Sequence, residues 1–192
     1  MNTPILFLVF KKPNTTAQVI NSLRETKPKK IYISINIPKK NNKKDLLKHN
    51  QVLALIKRID WKCKIKIKKR NKYIDPYNSY AKAIKWFFNN EKEGIILEDD
   101  IVPNRSFFIF CTNMLKKYKN NKKISQICGS SFVNKKKIGK YSYFFSNYSL
   151  CWGYATWKRS IIDYDDKMKR GLCDKEPSVM GTILTLYYDN VK

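Results

Sequence analysis

A chain of 192 residues and 22.8 kDa, 43% hydrophobic and 14% aromatic, is long enough to bury a core as one domain. Six glycines and seven prolines exclude a linker-rich or disordered protein. Forty Lys and Arg against fifteen Asp and Glu leave a net charge of +25, which calls for a polyanionic partner: a phosphorylated substrate, an anionic membrane surface or nucleic acid.

The excess charge is almost all lysine, whereas base readout and bidentate phosphate recognition favour arginine. Lys, Asn, Ile, Tyr and Phe are abundant together, as A/T-rich codons would make them, and both facts argue against nucleic acid. Cys63, Cys111, Cys128, Cys151 and Cys173 are widely spaced with no CxxC, the usage of reduced, mostly buried thiols. The single histidine, His49, lies in a Lys-rich polar segment and reads as a surface residue. No apolar run has the length of a membrane span, and the N-terminus lacks the basic flank of a signal peptide, so a cytoplasmic protein is expected.

In chain order, Ile5 to Phe10 is a continuous apolar run, the pattern of a strand buried on both faces. Lys11-Lys12-Pro13-Asn14-Thr15-Thr16 turns it, with Asn14 or Thr15 placed to cap a helix to about Glu25. Lys30 to Ile35 predicts a second strand and Leu46 to Ile59 a second helix. Cys63 to Lys68 alternates apolar residues with lysine, as a strand near the sheet edge does. A connection holding Pro76 leads to a helix over Tyr80 to Asn89. The order β-α-β-α-β-α-β fits a Rossmann-like parallel half.

Gly94-Ile95-Ile96-Leu97-Glu98-Asp99-Asp100-Ile101-Val102-Pro103 follows, a short apolar run bounded by Gly and Pro. Its three carboxylates lie at the C-terminal end, where ligands bind in open α/β sheets. They repel one another, and Mg²⁺ or Mn²⁺ held by one or two carboxylates plus substrate phosphates would compensate them. The plainer alternative is a solvated acidic loop. Ser106 to Tyr118 then predicts a helix, Ile124 to Phe132 a short strand and turn, and Tyr141 to Leu150 antiparallel strands; Ser178 to Asp189 reads as a last helix. In Cys151-Trp152-Gly153-Tyr154-Ala155-Thr156-Trp157, the two indoles are either core or a stacking platform for a sugar.

The acidic strand, the Ile84-Lys85-Trp86-Phe87-Phe88 helix before it and Pro103 with Ser106-Phe107-Phe108 after it together resemble bacterial nucleotide-sugar glycosyltransferases. So do Phe10 to Thr16 and the Trp152 to Trp157 block. The related enzymes are of the N-acetylglucosaminyltransferase I type and the wider family-2-like group, some of which carry a hemolytic-protein label. The resemblance implies a GT-A α/β fold over 1–192, with a mostly parallel central sheet, helices on both faces and a mixed C-terminal part. Residues 1–103 would form the nucleotide-sugar half and 104–192 the acceptor half. It implies that Asp100 ligates Mn²⁺ or Mg²⁺, that Glu98 and Asp99 face the ribose and donor sugar, and that Phe10, Lys11, Asn36 and Arg70 line the nucleotide pocket. Trp152 and Trp157 would meet the acceptor, and Asp165, ahead of Asp163 and Asp166, would be the base that deprotonates it.

The activity implied is inverting, metal-dependent transfer from a nucleoside-diphosphate sugar, UDP-linked, to a lipid-linked or surface-polysaccharide acceptor. The lysine surface could then touch an anionic membrane. The chain departs from the family at Asn36-Ile37-Pro38, where relatives carry Asp-Gly-Pro, and at the bulkier Tyr73 to Tyr77. It also stops early, so an inactive or truncated relative is one alternative. Others are a sugar-phosphate nucleotidyltransferase, which would need a Gly-rich loop where Lys11-Lys12-Pro13 stands, and a basic nucleic-acid-binding domain.

Overall fold

The computed structural model describes residues 1–131 and 142–161 and the backbone of 182–186. β1 (Ile5–Val9), α1 (Pro13–Thr26), β2 (Lys30–Ile35), α2 (Lys43–Ile56), β3 (Lys64–Lys69), α3 (Pro76–Phe88) and β4 (Glu93–Glu98) form the alternating half that the periodicity predicts. α4 (Arg105–Lys117), β5 (Ile124–Cys128), β6 (Tyr143–Ser146), β7 (Tyr154–Trp157), α5 (Lys158–Ile161) and β8 (Thr182–Leu186) follow.

The eight strands make one sheet in the order β3-β2-β1-β4-β7-β5-β8-β6. β1 pairs in parallel with β2 and β4, and β3 extends the parallel block at the edge, as its lysine alternation suggests. β7 runs antiparallel between β4 and β5, so the second half is mixed. This is the expected Rossmann-like, GT-A-type α/β architecture.

Strand alternation divides the core between the two faces of the sheet. Ile5, Phe7, Ile31, Ile33, Ile95 and Leu97 pack with Val19, Leu23, Val52, Phe108 and Leu115 from α1, α2 and α4. Leu6, Tyr32 and Ile96 pack on the other face with Ile84 and Phe87 from α3. Gly94 is required here, because a Cβ would come 2.8 Å from the Pro4 carbonyl and collide with the Phe87 ring.

Three local expectations are corrected. α1 begins at Pro13 with Lys12 as its cap residue, and the Thr16 hydroxyl donates 2.6 Å back to the Lys12 carbonyl, so neither Asn14 nor Thr15 caps it. α3 begins at Pro76, not Tyr80; proline at the first helical position loses no hydrogen bond, and the Asp75 carboxylate accepts from Asn78 N–H at 3.0 Å. Within the C-terminal helix expected over Ser178–Asp189, the described residues 182–186 are instead the strand β8, parallel to β5 and antiparallel to β6. Open ladder groups on two neighbouring strands outweigh local helical spacing. Among the described residues no helix is long and apolar enough to cross a membrane.

Candidate functional site

The chain winds outward from β1 through β2 to β3, then returns to place β4 on the other side of β1. In a doubly wound sheet this reversal leaves a crevice between the carboxyl ends of the two strands. Leu8 is opposite Glu98 in the ladder, so Asp99 and Asp100 pass beyond the last pair into a turn closed by Ile101 N–H to the Glu98 carbonyl, 3.3 Å. A cleft of about 260 Å³ lies there, near the lower end of small-molecule sites. Phe10, Lys12, Asn36, Tyr80 and all three carboxylates line it. A larger hollow between α1 and α2, lined by Asn14, Gln51 and Arg58 among others, contains no carboxylate.

The three acidic groups differ in what holds them. Asp99 is 7% exposed and accepts the Phe10 N–H at 2.8 Å, bridging β4 to β1. Burial is the main reason its carboxyl titrates above the usual range, against the opposing effect of the Phe10 bond. Burial also pushes Glu98 up, with repulsion from Asp100 and Asp99 adding to it. Asp100 stands at the mouth, half-exposed, and forms an ion pair with Lys12. Lys12 is held above its ordinary value first by that bond, with further attraction from all three carboxylates.

Lys12, rather than Lys11, lines the cleft: Lys11 turns to α2, where it pairs with Asp45, and lies 5.1 Å from the Phe10 ring centroid. Asn36 also lines it, but its amide donates to the Ile74 carbonyl at 2.7 Å and its Oδ1 accepts from Ile37 N–H at 3.1 Å, bracing the loop before α3. Arg70, at the end of β3, ties its backbone N–H to Ile35 at 3.0 Å, while its buried Nε and Nη2 make no hydrogen bond. Burial lowers its pKa. His49 is no surface residue: it is 2% exposed, and its Nδ1 lies 2.9 Å from the Phe10 carbonyl. An apolar stripe on α2 carries it inward, which its lysine neighbours concealed.

The two tryptophans separate. Antiparallel pairing sets Tyr154 beside Ile96 and Trp157 beside Glu93, so β7 leads away from the cleft. Five residues of extended chain span roughly 17 Å. Trp157 is 3% exposed, at the opposite end of β4, with the Arg159 guanidinium 4.2 Å from its ring centroid, and so offers no face to a sugar. Trp152 is 54% exposed and precedes Gly153, whose Cβ position is 3.2 Å from Ile101 Cγ2, immediately after the acidic turn. Asp163, Asp165 and Asp166 lie outside the described residues, as does Cys173.

Sequence reasoning missed Lys12, Ser34, Ser79 and Tyr80 in the lining. Lys12 follows from recognising Pro13 as the first helical residue. Ser34 sits in an apolar strand beside Leu8, where a lone serine is the available signal. The Tyr80 hydroxyl lies 2.6 Å from that of Tyr154, a partner no local pattern could show.

Among the described residues no three His, Cys, Asp or Glu side chains form a ready-made metal cage. The oxygen donors nevertheless suit Mg²⁺ or Mn²⁺, which take one or two carboxylates and complete their shell with phosphate and water. Asp100 presents an accessible carboxylate, and the mutual repulsion that adds to burial in raising Glu98 and Asp99 is a field that a cation relieves. The α1 N-terminus at Lys12-Pro13 reaches the same rim and favours anions there, whereas the α3 N-terminus is already capped by the Asp75 carboxylate.

No protein-family profile matches the chain, and no curated protein matches it in sequence. Solved structures do share its fold. A 4-diphosphocytidyl-2C-methyl-D-erythritol synthase from Anaerococcus prevotii matches with a TM-score of 0.57 at 9% identity, over 100% of this chain and 92% of its own. HddC from Yersinia pseudotuberculosis, complexed with GMP-PN, matches at 0.54 and 10% identity, over 96% and 90%. The mannosyltransferase PcManGT from Pyrobaculum calidifontis, in complex with GDP-Man and Mn²⁺, matches at 0.52 and 6% identity, over 84% and 46%. What these structures share with the chain is the α/β fold. At these identities the likeness speaks for architecture alone.

Proposed function

We propose that this protein is a metal-dependent glycosyltransferase that moves a sugar from a nucleoside-diphosphate sugar, UDP-linked, to a glycan acceptor of the lipid-linked or surface-polysaccharide kind. The observation that carries the reading is the Glu98-Asp99-Asp100 triplet at the β1/β4 reversal, beside Lys12 and the α1 N-terminus. Carboxylates for a cation and positive groups for phosphates thus meet in one cleft.

In this reading the α1 N-terminus and Lys12 would hold the diphosphate, Glu98 and Asp99 would face the ribose and sugar, and Asp100 would hold the divalent cation. When bound, that cation neutralises charge on the departing nucleoside diphosphate. The acceptor hydroxyl forms the new bond to the anomeric carbon as the bond to the diphosphate breaks, and its proton passes to a carboxylate, for which Asp165 is the candidate. Trp152 offers the exposed ring for the acceptor. The PcManGT neighbour, with its GDP-Man and Mn²⁺, supports this ligand class.

A second reading, nucleotidyl transfer onto a sugar phosphate, is favoured by the near-complete coverage of the synthase neighbour. Against it, Lys11-Lys12-Pro13 contains no glycine to cradle a triphosphate.

Calorimetric titration of UDP, GDP and CDP with Mn²⁺ and then with EDTA tests the reading. Micromolar binding of one of them that EDTA abolishes is expected, and Asp100→Ala should remove the metal-dependent part while leaving the circular dichroism spectrum unchanged. Metal dependence undiminished in that variant defeats the assignment of Asp100. A release of pyrophosphate from a nucleoside triphosphate would instead select the second reading.

A further inference from the structure

Asp100 is the exposed member of the triplet, and the hydrogen bond its carboxylate receives comes from the ammonium of Lys12. That ammonium pairs with the carboxylate assigned to the cation, in the cleft that Glu98 and Asp99 also line. Its backbone is fixed: Lys12 caps α1, its carbonyl accepts from the Thr16 N–H and hydroxyl, and Pro13 follows. The side chain is not fixed in the same way. A lysine stem is flexible and its three donors are interchangeable, so the ammonium can change partners without the loop moving. Both side chains are well exposed, and pairs of this kind shift an equilibrium by no more than about fivefold.

We propose that Lys12 is an internal placeholder cation that occupies Asp100 in the free protein and transfers to the diphosphate when a nucleotide arrives, making nucleotide and divalent-cation binding cooperative. The inference rests on the reading of this cleft as a nucleoside-diphosphate and metal site. A diphosphate has more charge and more acceptor oxygens than one carboxylate, so it wins the ammonium. Asp100 is then released at the moment phosphate oxygens become available to complete a cation's shell. A cation arriving first must displace the ammonium and bind beside its positive charge. Lys12 thus acts twice: it weakens metal binding to the empty cleft and strengthens nucleotide binding.

The test is binding, read from the electron paramagnetic resonance signal of free Mn²⁺. Mn²⁺ is titrated into the parent and into Lys12→Met, each alone and with saturating UDP, GDP or CDP. The parent should bind Mn²⁺ at least about tenfold more tightly with the preferred nucleotide, within the ordinary range of coupling between sites. Lys12→Met should bind Mn²⁺ alone about three- to fivefold more tightly than the parent, with smaller coupling, and Lys12→Arg should behave as the parent does. Equal or weaker Mn²⁺ binding by nucleotide-free Lys12→Met overturns the inference while leaving the site intact. Failure of the folded parent to bind any of the three nucleotides with Mn²⁺ overturns the reading beneath it. Lys12→Gln repeats the comparison should the Met variant lose its circular dichroism signature.

Discussion

At Phe10 a single loop residue is gripped from both sides: Asp99 accepts its N–H and His49 sits on its carbonyl. The grip fixes where the first strand hands the chain to the cleft, and it commits Asp99 to the β1 backbone while Asp100 pairs with the Lys12 side chain. Glu98 has the clearest pH signature. Burial raises its titration, so the folded chain binds this proton more tightly than the unfolded chain does. Its charged form therefore opposes folding at neutral pH, and that cost disappears as pH falls below the ordinary carboxylate range. Glu98→Gln should show a higher urea midpoint than the parent at neutral pH, with the gap closing in acid. A gap that persists unchanged in acid would assign the gain to packing instead. The place of the triplet at the end of β4 was legible from residue types, because an apolar run bounded by Gly94 reads as a buried strand and the carboxylates follow it. Their separate roles were not, because burial and partners distinguish them.

On the scale of elements, the turn that carries Trp152 depends on Gly153, which has φ of 71° and accepts the Gly129 N–H at 3.1 Å. Gly153→Ala places a Cβ in the left-handed region, against Ile101, and should cost about 1–2 kcal/mol in thermal denaturation. An unchanged melting temperature would show that the turn adapts freely. The parallel half was readable strand by strand, since runs such as Ile5 to Val9 and Lys30 to Ile35 have few other ways to bury themselves. Element starts were less readable: Pro13 and Pro76 look like breakers in sequence yet open helices. β8 was unreadable for a different reason, because its pairing partners β5 and β6 are distant in the chain.

At the scale of the whole molecule, three carboxylates among the described residues share the cleft while lysines dominate the surface charge, as along the β3 edge with Lys64, Lys66, Lys68 and Lys69. Such a surface should bind vesicles containing anionic lipid at low salt and release them as salt approaches molar concentration, where screening shortens to about 3 Å. Absence of binding at low salt would remove the membrane role from the proposal and leave the cleft chemistry untouched. Composition and periodicity by themselves determined the fold class, the alternation of the first half and the position of the acidic turn, because each is a local consequence of which residues must be buried. Only tertiary structure decided that Lys12 rather than Lys11 faces the cleft, that His49 is buried, and that Trp152 and Trp157 part company. Those outcomes depend on how helix α1 starts, which face of α2 meets the sheet, and the direction in which β7 is inserted beside β4. The burial of His49 and the parting of the tryptophans are contacts between segments far apart in the chain, which no local pattern encodes; the Lys12 outcome has a local signal in Pro13, but only the folded chain shows which lysine meets Asp100.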